Sequence, residues 1–400
     1  MDHDNTFAYV QASVEAHDFE ASIAALERTL NYNPQLTRAK VELGTLYFRL
    51  RSFNLAVVYF EDALADPDLE PSLRARIEGF LPEARKQLSA SRFSGVFQTG
   101  VRYDSNVAGA PSTNFLRSFG LDVLVRPIYT PKADGNAFAL GEVEHVYDFQ
   151  NQRGDTWESR FAGYGTLQFQ QSDLNVGLFE FATGPRLAVA PEPFPGLTVR
   201  PYVGAAAAMI AGSDYINTYG GGVTLGIPWN EAFSIEPGLD LRRVELTHIA
   251  LVRNQGDLSS GALWTGSLSA AWQIAENIKF DSKLFYRANL ADPGGSDSDQ
   301  YGAESAIKFN FAPPSDLIGV DWSATPFVRY LAVLFRHADP VVDPLLRRRD
   351  NEWRAGLQLD MPFSPTFGFN SVIQTTRYDS NIVNFRSSSW SVLAGPTVRF

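Results

Sequence analysis

Beyond residue 92 the chain alternates apolar and polar positions with a period of two, in runs longer than ordinary strands. From 277 to 291, Ile278, Phe280, Leu284, Tyr286, Ala288 and Leu290 share one face, and Lys279, Asp281, Lys283, Arg287 and Asn289 share the other. Residues 301–311 and 353–361 repeat the pattern, with Tyr301, Ile307 and Phe309 opposite Glu304 and Lys308, and with Trp353, Leu357 and Leu359 opposite Arg354 and Asp360. Strands this long, apolar along one whole face, suit a transmembrane barrel with lipid outside and a polar lumen inside. Segments of this type begin near residues 92, 136, 156, 174, 197, 214, 231, 258, 277, 298, 320, 349, 365 and 385, which predicts a 14-stranded antiparallel transmembrane β-barrel. If the first strand runs outward, the long connections fall outside and the short ones inside, the usual asymmetry. Trp157, Trp229, Trp272, Trp322 and Trp353 lie near strand ends, where interfacial girdles form. The last strand carries Trp390, Val392, Ala394, Pro396, Val398 and Phe400 on one face, so Phe400 is the expected assembly signal read by the barrel-assembly machinery.

Residues 1–92 are built differently. They contain Gly44 and Gly79 as their only glycines and no tryptophan, and their apolar spacing is helical. Residues 37–70 place Leu43, Gly44, Tyr47, Ala56, Phe60, Ala63 and Pro67 at the spacing of a 34-residue helical hairpin; a shift of one period brings up Ser22, Leu26, Thr29 and Pro34. The segment resembles two tetratricopeptide repeats, with 71–89 as a further capping helix, because a repeat cannot bury its apolar face without a neighbour. The expected class is therefore α + β multidomain: a helical tetratricopeptide-like domain over 1–92 in the periplasm, then an outer-membrane barrel over 93–400. In repeats of this kind the first helix of each unit lines the concave side, which places Gln11, Glu15, Arg38, Thr45 and Arg49 in a groove for a partner protein. A spacer with no ligand fits the same sequence.

Composition narrows the chemistry. With 45 acidic residues against 34 basic ones and a net charge of −11, the chain lacks the excess of Lys and Arg needed for a general grip on nucleic acid. The absence of cysteine removes thiolate metal sites and disulfides and suits an oxidising compartment. The longest nearly apolar run, 202–212, is far shorter than a spanning helix. Met1–Thr6 is acidic where a secretory segment would be basic, so an exported form is expected to have lost its signal.

No catalytic constellation emerges. His3, His17, His145, His248 and His337 stand outside any nucleophile motif, and alternation puts His145 on the face opposite Glu142 and Glu144. Asp292–Asp299 is rich in oxygen ligands but lacks calcium-loop spacing, and reads as a turn. Neither enzymatic activity nor a cofactor is expected. The inward charges form a larger set: Arg102, Glu142, Glu144, Glu158, Arg160, Glu236, Asp240, Arg242, Lys279, Asp281, Lys283, Arg287, Glu304, Lys308, Arg354, Asp360 and Arg399. A filter for one sign of small ion carries a ring of one charge. Both signs occur here, which predicts either mutual pairing along the wall or a bulkier passenger of mixed polarity.

Arg-Tyr-Asp-Ser-Asn occurs at 102–106 and at 377–381, each time where an outgoing strand meets an outer loop. The first copy, within Ser94–Pro111 and directly after the helical repeats, resembles the surface lipoprotein assembly modulators. That resemblance implies a barrel that helps client lipoproteins or soluble proteins to the cell surface, with the repeats docking the client. Two other readings are an exopolysaccharide export porin, whose channel would place aromatics inward, and an anchor for a periplasmic complex without transport. The connection 104–135 carries Phe119, Leu121, Val123 and Val125 in strand-like alternation. An even strand count keeps it out of the wall, so it is expected to fold over or into the barrel mouth, or to extend the first hairpin.

Overall fold

In the computed structural model the described residues are all but 1–2, 16–17, 125–129, 152, 190–194, 247–259, 292–295 and 316–318. They form two compact units, Met1–Arg92 and Phe93–Phe400.

The first unit consists of α1 (His3–Glu15), α2 (Phe19–Tyr32), α3 (Thr37–Arg49), α4 (Phe53–Leu64) and α5 (Pro71–Leu88). Asp18 caps α2 by accepting the Ala21 amide at 3.0 Å, and Pro71 opens α5 where a missing amide costs nothing. Successive helices pack on one another, and α3 also meets α5. Gly44 is required at the α3–α4 crossing, because a Cβ there would sit 2.6 Å from the Phe60 ring. One core gathers Val10, Leu26, Ala39, Leu43 and Leu46; a second gathers Val41, Ala56, Phe60, Ala63 and Ile77. Since α3 feeds both cores, it has little free face. Thr45 is therefore 3% exposed, and its hydroxyl donates to the Val41 carbonyl at 2.8 Å, so the expectation that it lines an open groove is corrected.

The second unit is a closed antiparallel barrel of fourteen strands plus a separate two-stranded hairpin. Its strands are β1 (Ser91–Asp104), the hairpin pair β2 (Phe115–Ser118) and β3 (Leu121–Leu124), β4 (Asp134–Asp148), β5 (Thr156–Gln168), β6 (Val176–Ala188), β7 (Thr198–Ile210), β8 (Ser213–Pro228), β9 (Phe233–Leu246), β10 (Gly261–Ala275), β11 (Ile278–Ala291), β12 (Ser298–Phe311), β13 (Trp322–Ala338), β14 (Arg347–Pro362), β15 (Phe367–Ser380) and β16 (Ser387–Arg399). Each barrel strand pairs with its sequence neighbour; β1 skips β2 and β3 to sit beside β4, and closes on β16 from Val96↔Arg399 to Asp104↔Ser391. Closure leaves no edge. The lower end is defined here as the one at which β1 begins. Phe400 lies there, exchanging backbone hydrogen bonds with Gly95.

The outward face is apolar: Phe97 and Val101 on β1, Phe179 and Phe181 on β6, Leu239 and Leu241 on β9, Leu284 on β11, Val328 on β13 and Ile373 on β15 are all exposed. Aromatic pairs ring its upper margin, including Tyr103–Trp390, Tyr286–Tyr301 and Tyr330–Trp353 with ring centres 4.5–5.2 Å apart. Trp157, Trp229 and Trp272 mark the lower margin. An apolar belt between aromatic girdles, around a closed barrel with charges inside, places this chain in the outer membrane of a Gram-negative bacterium.

Residues 119–124 do contain a strand, β3, but it belongs to the small hairpin and not to the wall. Phe119 (φ 50°) and Gly120 (φ 78°) turn β2 into β3.

Candidate functional site: the barrel lumen

The register decides which side chains share the lumen. Followed from strand to strand, it puts Arg102, Glu142, Glu144, Glu158, Arg160, Glu236, Asp240, Arg242, Lys279, Asp281, Lys283, Arg287, Glu304, Lys308, Arg354, Asp360 and Arg399 on one face. That face is the concave one. Arg242 reaches Glu180 at 3.5 Å and Arg186 reaches Glu236 at 3.6 Å, each spanning from β9 to β6 over two intervening strands, which only the inside of a barrel allows.

Most of these charges are paired. Arg160 holds Glu142 at 2.7 Å, Arg102 holds Asp104 at 2.8 Å, Lys279 holds Asp281 at 3.0 Å, Arg329 holds Glu304 at 3.3 Å and Arg354 holds Glu352 at 3.0 Å, while Arg399 pairs with Asp360. Glu158 binds Arg186 at 2.7 Å and Arg200 at 2.8 Å. Asp240 takes Arg242 at 3.1 Å and the Tyr202 hydroxyl at 2.8 Å; the Tyr202 ring can lie across the wall because Gly222 between them has no side chain, and a Cβ there would meet the hydroxyl at 2.6 Å. Arg287 bonds the Thr265 hydroxyl at 3.4 Å and lies over Phe285, with no carboxylate in ion-pair range among the described residues.

The lumen is uneven in width and polarity. A chamber of about 660 Å³ is lined by Glu236, Asp281, Lys283, Glu304, Arg329 and Arg354. Above it, Val176, Leu178, Ile210 and Ile216 from β6–β8 share a space of about 320 Å³ with Arg287, Leu331, Val333 and Glu352 from β11–β14, so opposing walls approach there. The sequence reading missed Glu180, Arg186, Arg200, Arg329, Arg348 and Glu352. Arg186 and Arg200 each adjoin a proline, and the inner face of β13 mixes Arg329 with Phe327, Leu331 and Val333, so no alternation marked them.

The upper mouth is narrowed by inward-folded connections. The turn Val383–Phe385 puts the Phe385 ring 3.4 Å from the Arg348 guanidinium, at the level of Leu331, Val333 and Tyr378. The β2–β3 hairpin docks on this turn and on 339–346: Asn384 and Arg117 exchange two hydrogen bonds, the Phe119 amide donates to Val341, and Arg117 binds Asp343 at 2.9 Å. The Leu345 amide, and then Arg117, hold the Asp343 carboxyl below the ordinary carboxylate range. Phe119, Leu121, Val123 and Leu124 stay exposed; Val125, in the same expected alternation, lies outside the described residues. The two Arg-Tyr-Asp-Ser-Asn copies both pair Arg with Asp two residues on, but Arg102–Asp104 faces the lumen whereas Arg377–Asp379 faces outward. Asn106 ties the first copy into a turn through Ala110 and reaches Ser388 on β16.

In the helical unit Gln11 and Arg49 are exposed and Arg38 lies 4.2 Å over the Phe7 ring; the Glu15 side chain lies outside the described residues. Among the described residues, Gln11, Arg38 and Arg49 line none of the main cavities. A cavity of about 430 Å³ lies between α1 and α2 and is lined by Asn5, Thr6, Tyr9, Ala21, Ala25 and Arg28. Burial and a hydrogen bond to Glu27 push the Tyr47 hydroxyl up to about 12, so it remains a donor. Of the histidines, His145 stacks on Phe93 at 4.4 Å, and His17 and His248 lie outside the described residues. Asp292 to Gly295 of the acidic turn are likewise outside; Asp297 accepts the Ala291 amide and Asp299 pairs with Arg336.

No family model and no curated protein matches this sequence. Solved structures similar to the barrel include the anion-selective porin from Comamonas acidovorans (9% identity, TM-score 0.38, covering 78% of this chain and 99% of that one) and the outer membrane protein OprD from Pseudomonas aeruginosa (10%, 0.36, 78% and 94%). A bacterial polysaccharide outer membrane secretin is similar at 9% identity and TM-score 0.34, covering 77% of this chain and 98% of that one. At such identities and scores, neither selectivity nor cargo carries over to this chain.

Proposed function

We propose that this protein is an outer-membrane export conduit whose helical unit receives a client protein in the periplasm and whose lumen passes it to the cell surface, the client being lipid-anchored. The observation that carries this reading is the lumen wall, where most charges of both signs are paired with one another. Such a wall neither attracts one sign of small ion nor repels a polypeptide of mixed charge. The resemblance of Ser94–Pro111 to surface lipoprotein assembly modulators points to the same client class. Gln11, Glu15, Arg38 and Arg49 are the proposed docking residues, Thr45 being buried. A second reading, a polysaccharide conduit, is favoured by the aromatics on the lumen face, among them Tyr164, Tyr202, Phe285, Phe327 and Tyr378, because sugars stack on rings.

A photo-crosslinker at the exposed Gln11 in living cells tests the two. A captured secreted protein, lost in the Arg38→Glu/Arg49→Glu variant while the barrel still assembles, supports the client reading. Capture of glycan in its place supports the second, and unchanged capture in the variant removes these residues from docking.

A further inference from the structure

The β6–β7 pair contains a break in its backbone ladder. The register runs at constant offset from Val176↔Ile210 to Ala188↔Thr198, which sets Pro185 opposite Pro201. Val189 donates to Leu197 at the same parity, so Pro185 and Pro201 stand where each residue would donate to the other, and neither has an N–H to give. Both rungs are missing. Other seams with strand prolines, at Pro237, Pro326 and Pro396, face no second proline across the ladder, and each can lose one rung at most. The break lies low on the barrel, beside outward-facing Trp157, and its flanking outward residues Phe181 and Val203 are exposed.

On the lumen side the break is covered by side chains. Arg186 and Arg200 face each other across it, and Glu158 binds both, at 2.7 and 2.8 Å. Higher on the same strands the lumen wall holds a recess of about 370 Å³ lined by Leu140, Ala162, Tyr164, Leu178, Ala206 and Ile216. The carboxylates at its edge, Glu142 and Glu180, are engaged by Arg160 and Arg242. Between the break and the recess these two strands carry Ala182, Gly184 and Gly204 on the lumen face, together with Tyr202, whose ring leans away from β6 over Gly222 to Asp240. An apolar recess in a charged lumen is thus linked, along Ala182, Gly184 and Gly204, to a break in the ladder whose outer side faces hydrocarbon.

We propose that β6 and β7 form a side portal that admits a lipid acyl chain from the lower leaflet to the lumen recess, with Arg186, Arg200 and Glu158 as its latch. Only an acyl chain combines the apolar chemistry of the recess with a source on the other face of the same two strands. This rests on the reading of a lipid-anchored client: the polypeptide crosses the polar lumen while its acyl chains never leave an apolar environment, which spares them the cost of immersion in water.

The chain has no cysteine, so an engineered pair is unambiguous. A Cβ at Gly204 would lie 3.5 Å from that of Ala182, within disulfide range, just above the break. The full-length protein is reconstituted in phosphatidylethanolamine vesicles containing a diazirine-bearing palmitoyl phospholipid, and labelled residues are mapped. We expect labels on Leu178 and Ala206 inside as well as on Phe179 and Val203 outside. Oxidised Ala182→Cys/Gly204→Cys should lose the inner labels and keep the outer ones, reduction should restore them, and Glu158→Gln should raise them. Labels confined to the outer residues, or inner labels that survive oxidation, overturn the portal. Surface display of the client is scored in the same cysteine pair. Inner labelling that closes on oxidation while display continues upholds the portal and overturns the lipid-anchored client instead.

Discussion

Leu284 and Lys283 are neighbours in sequence on opposite sides of the wall, which makes them a controlled pair. Leu284 lies midway along β11 on the outward face and is 54% exposed to what the fold places as lipid. Leu284→Arg puts a guanidinium near the bilayer midplane, at a cost of about 2–4 kcal/mol. That is roughly a 30-fold to nearly 1,000-fold loss in the folding equilibrium. Lys283 faces Glu304 across the ladder, a cross-strand pair worth about 0.2–1 kcal/mol, so Lys283→Leu should cost no more than that. Urea unfolding in lipid vesicles, followed by the seven tryptophans, reads both variants against the parent. A Lys283→Leu penalty equal to or above that of Leu284→Arg would reverse the two faces and refute the lumen assignment.

Four further expectations follow from single contacts. Gly44→Leu should loosen the helical unit, by about 1–3 kcal/mol for overpacking against Phe60, seen as faster proteolysis before residue 92 with the barrel intact. Asp343 has a lowered folded pKa, so its contribution to hairpin docking is complete above the ordinary carboxylate value of about 4 and is lost as pH falls through the lower folded value; protease protection of 112–124 should hold from pH 8 to about 4 and fail below. Deleting residues 112–132 should raise single-channel conductance in planar bilayers, and unchanged conductance would make the hairpin passive. Removing Phe400 should slow assembly, read as persistence of the unfolded band in semi-native gels, whereas normal assembly would leave Phe400 a mere rim residue.

The legibility of this protein follows its alternation. Within the span of the apolar belt β11, β12 and β14 keep charged residues off the lipid face, because that face meets lipid and the other meets water, so their faces and most of the lumen charges could be read directly, Phe285 being an apolar exception on the inner face. β13 could not be read that way, since Phe327, Leu331 and Val333 point inward at the narrow part of the lumen and leave both faces apolar. The β2–β3 hairpin looked like one strand because nothing in Ser118-Phe119-Gly120-Leu121 marks Phe119 for positive φ. The helical unit was legible as hairpins, but which face of α3 is free depends on α5, which lies outside the repeat, and Thr45 was misplaced for that reason. The proline break at β6–β7 depends on register, a relation between two strands that neither strand states alone.

The export conduit is tested most directly inside the lumen. A photo-crosslinking residue placed at Lys283, in the wall of the 660 Å³ chamber, is irradiated in living cells during export. The account predicts a covalent adduct between the barrel and a surface-destined protein, and loss of that adduct when Arg38 and Arg49 are both changed to Glu. A lumen that yields no protein adduct while the same crosslinker at Gln11 captures a partner would contradict it, and would leave the barrel as an anchor.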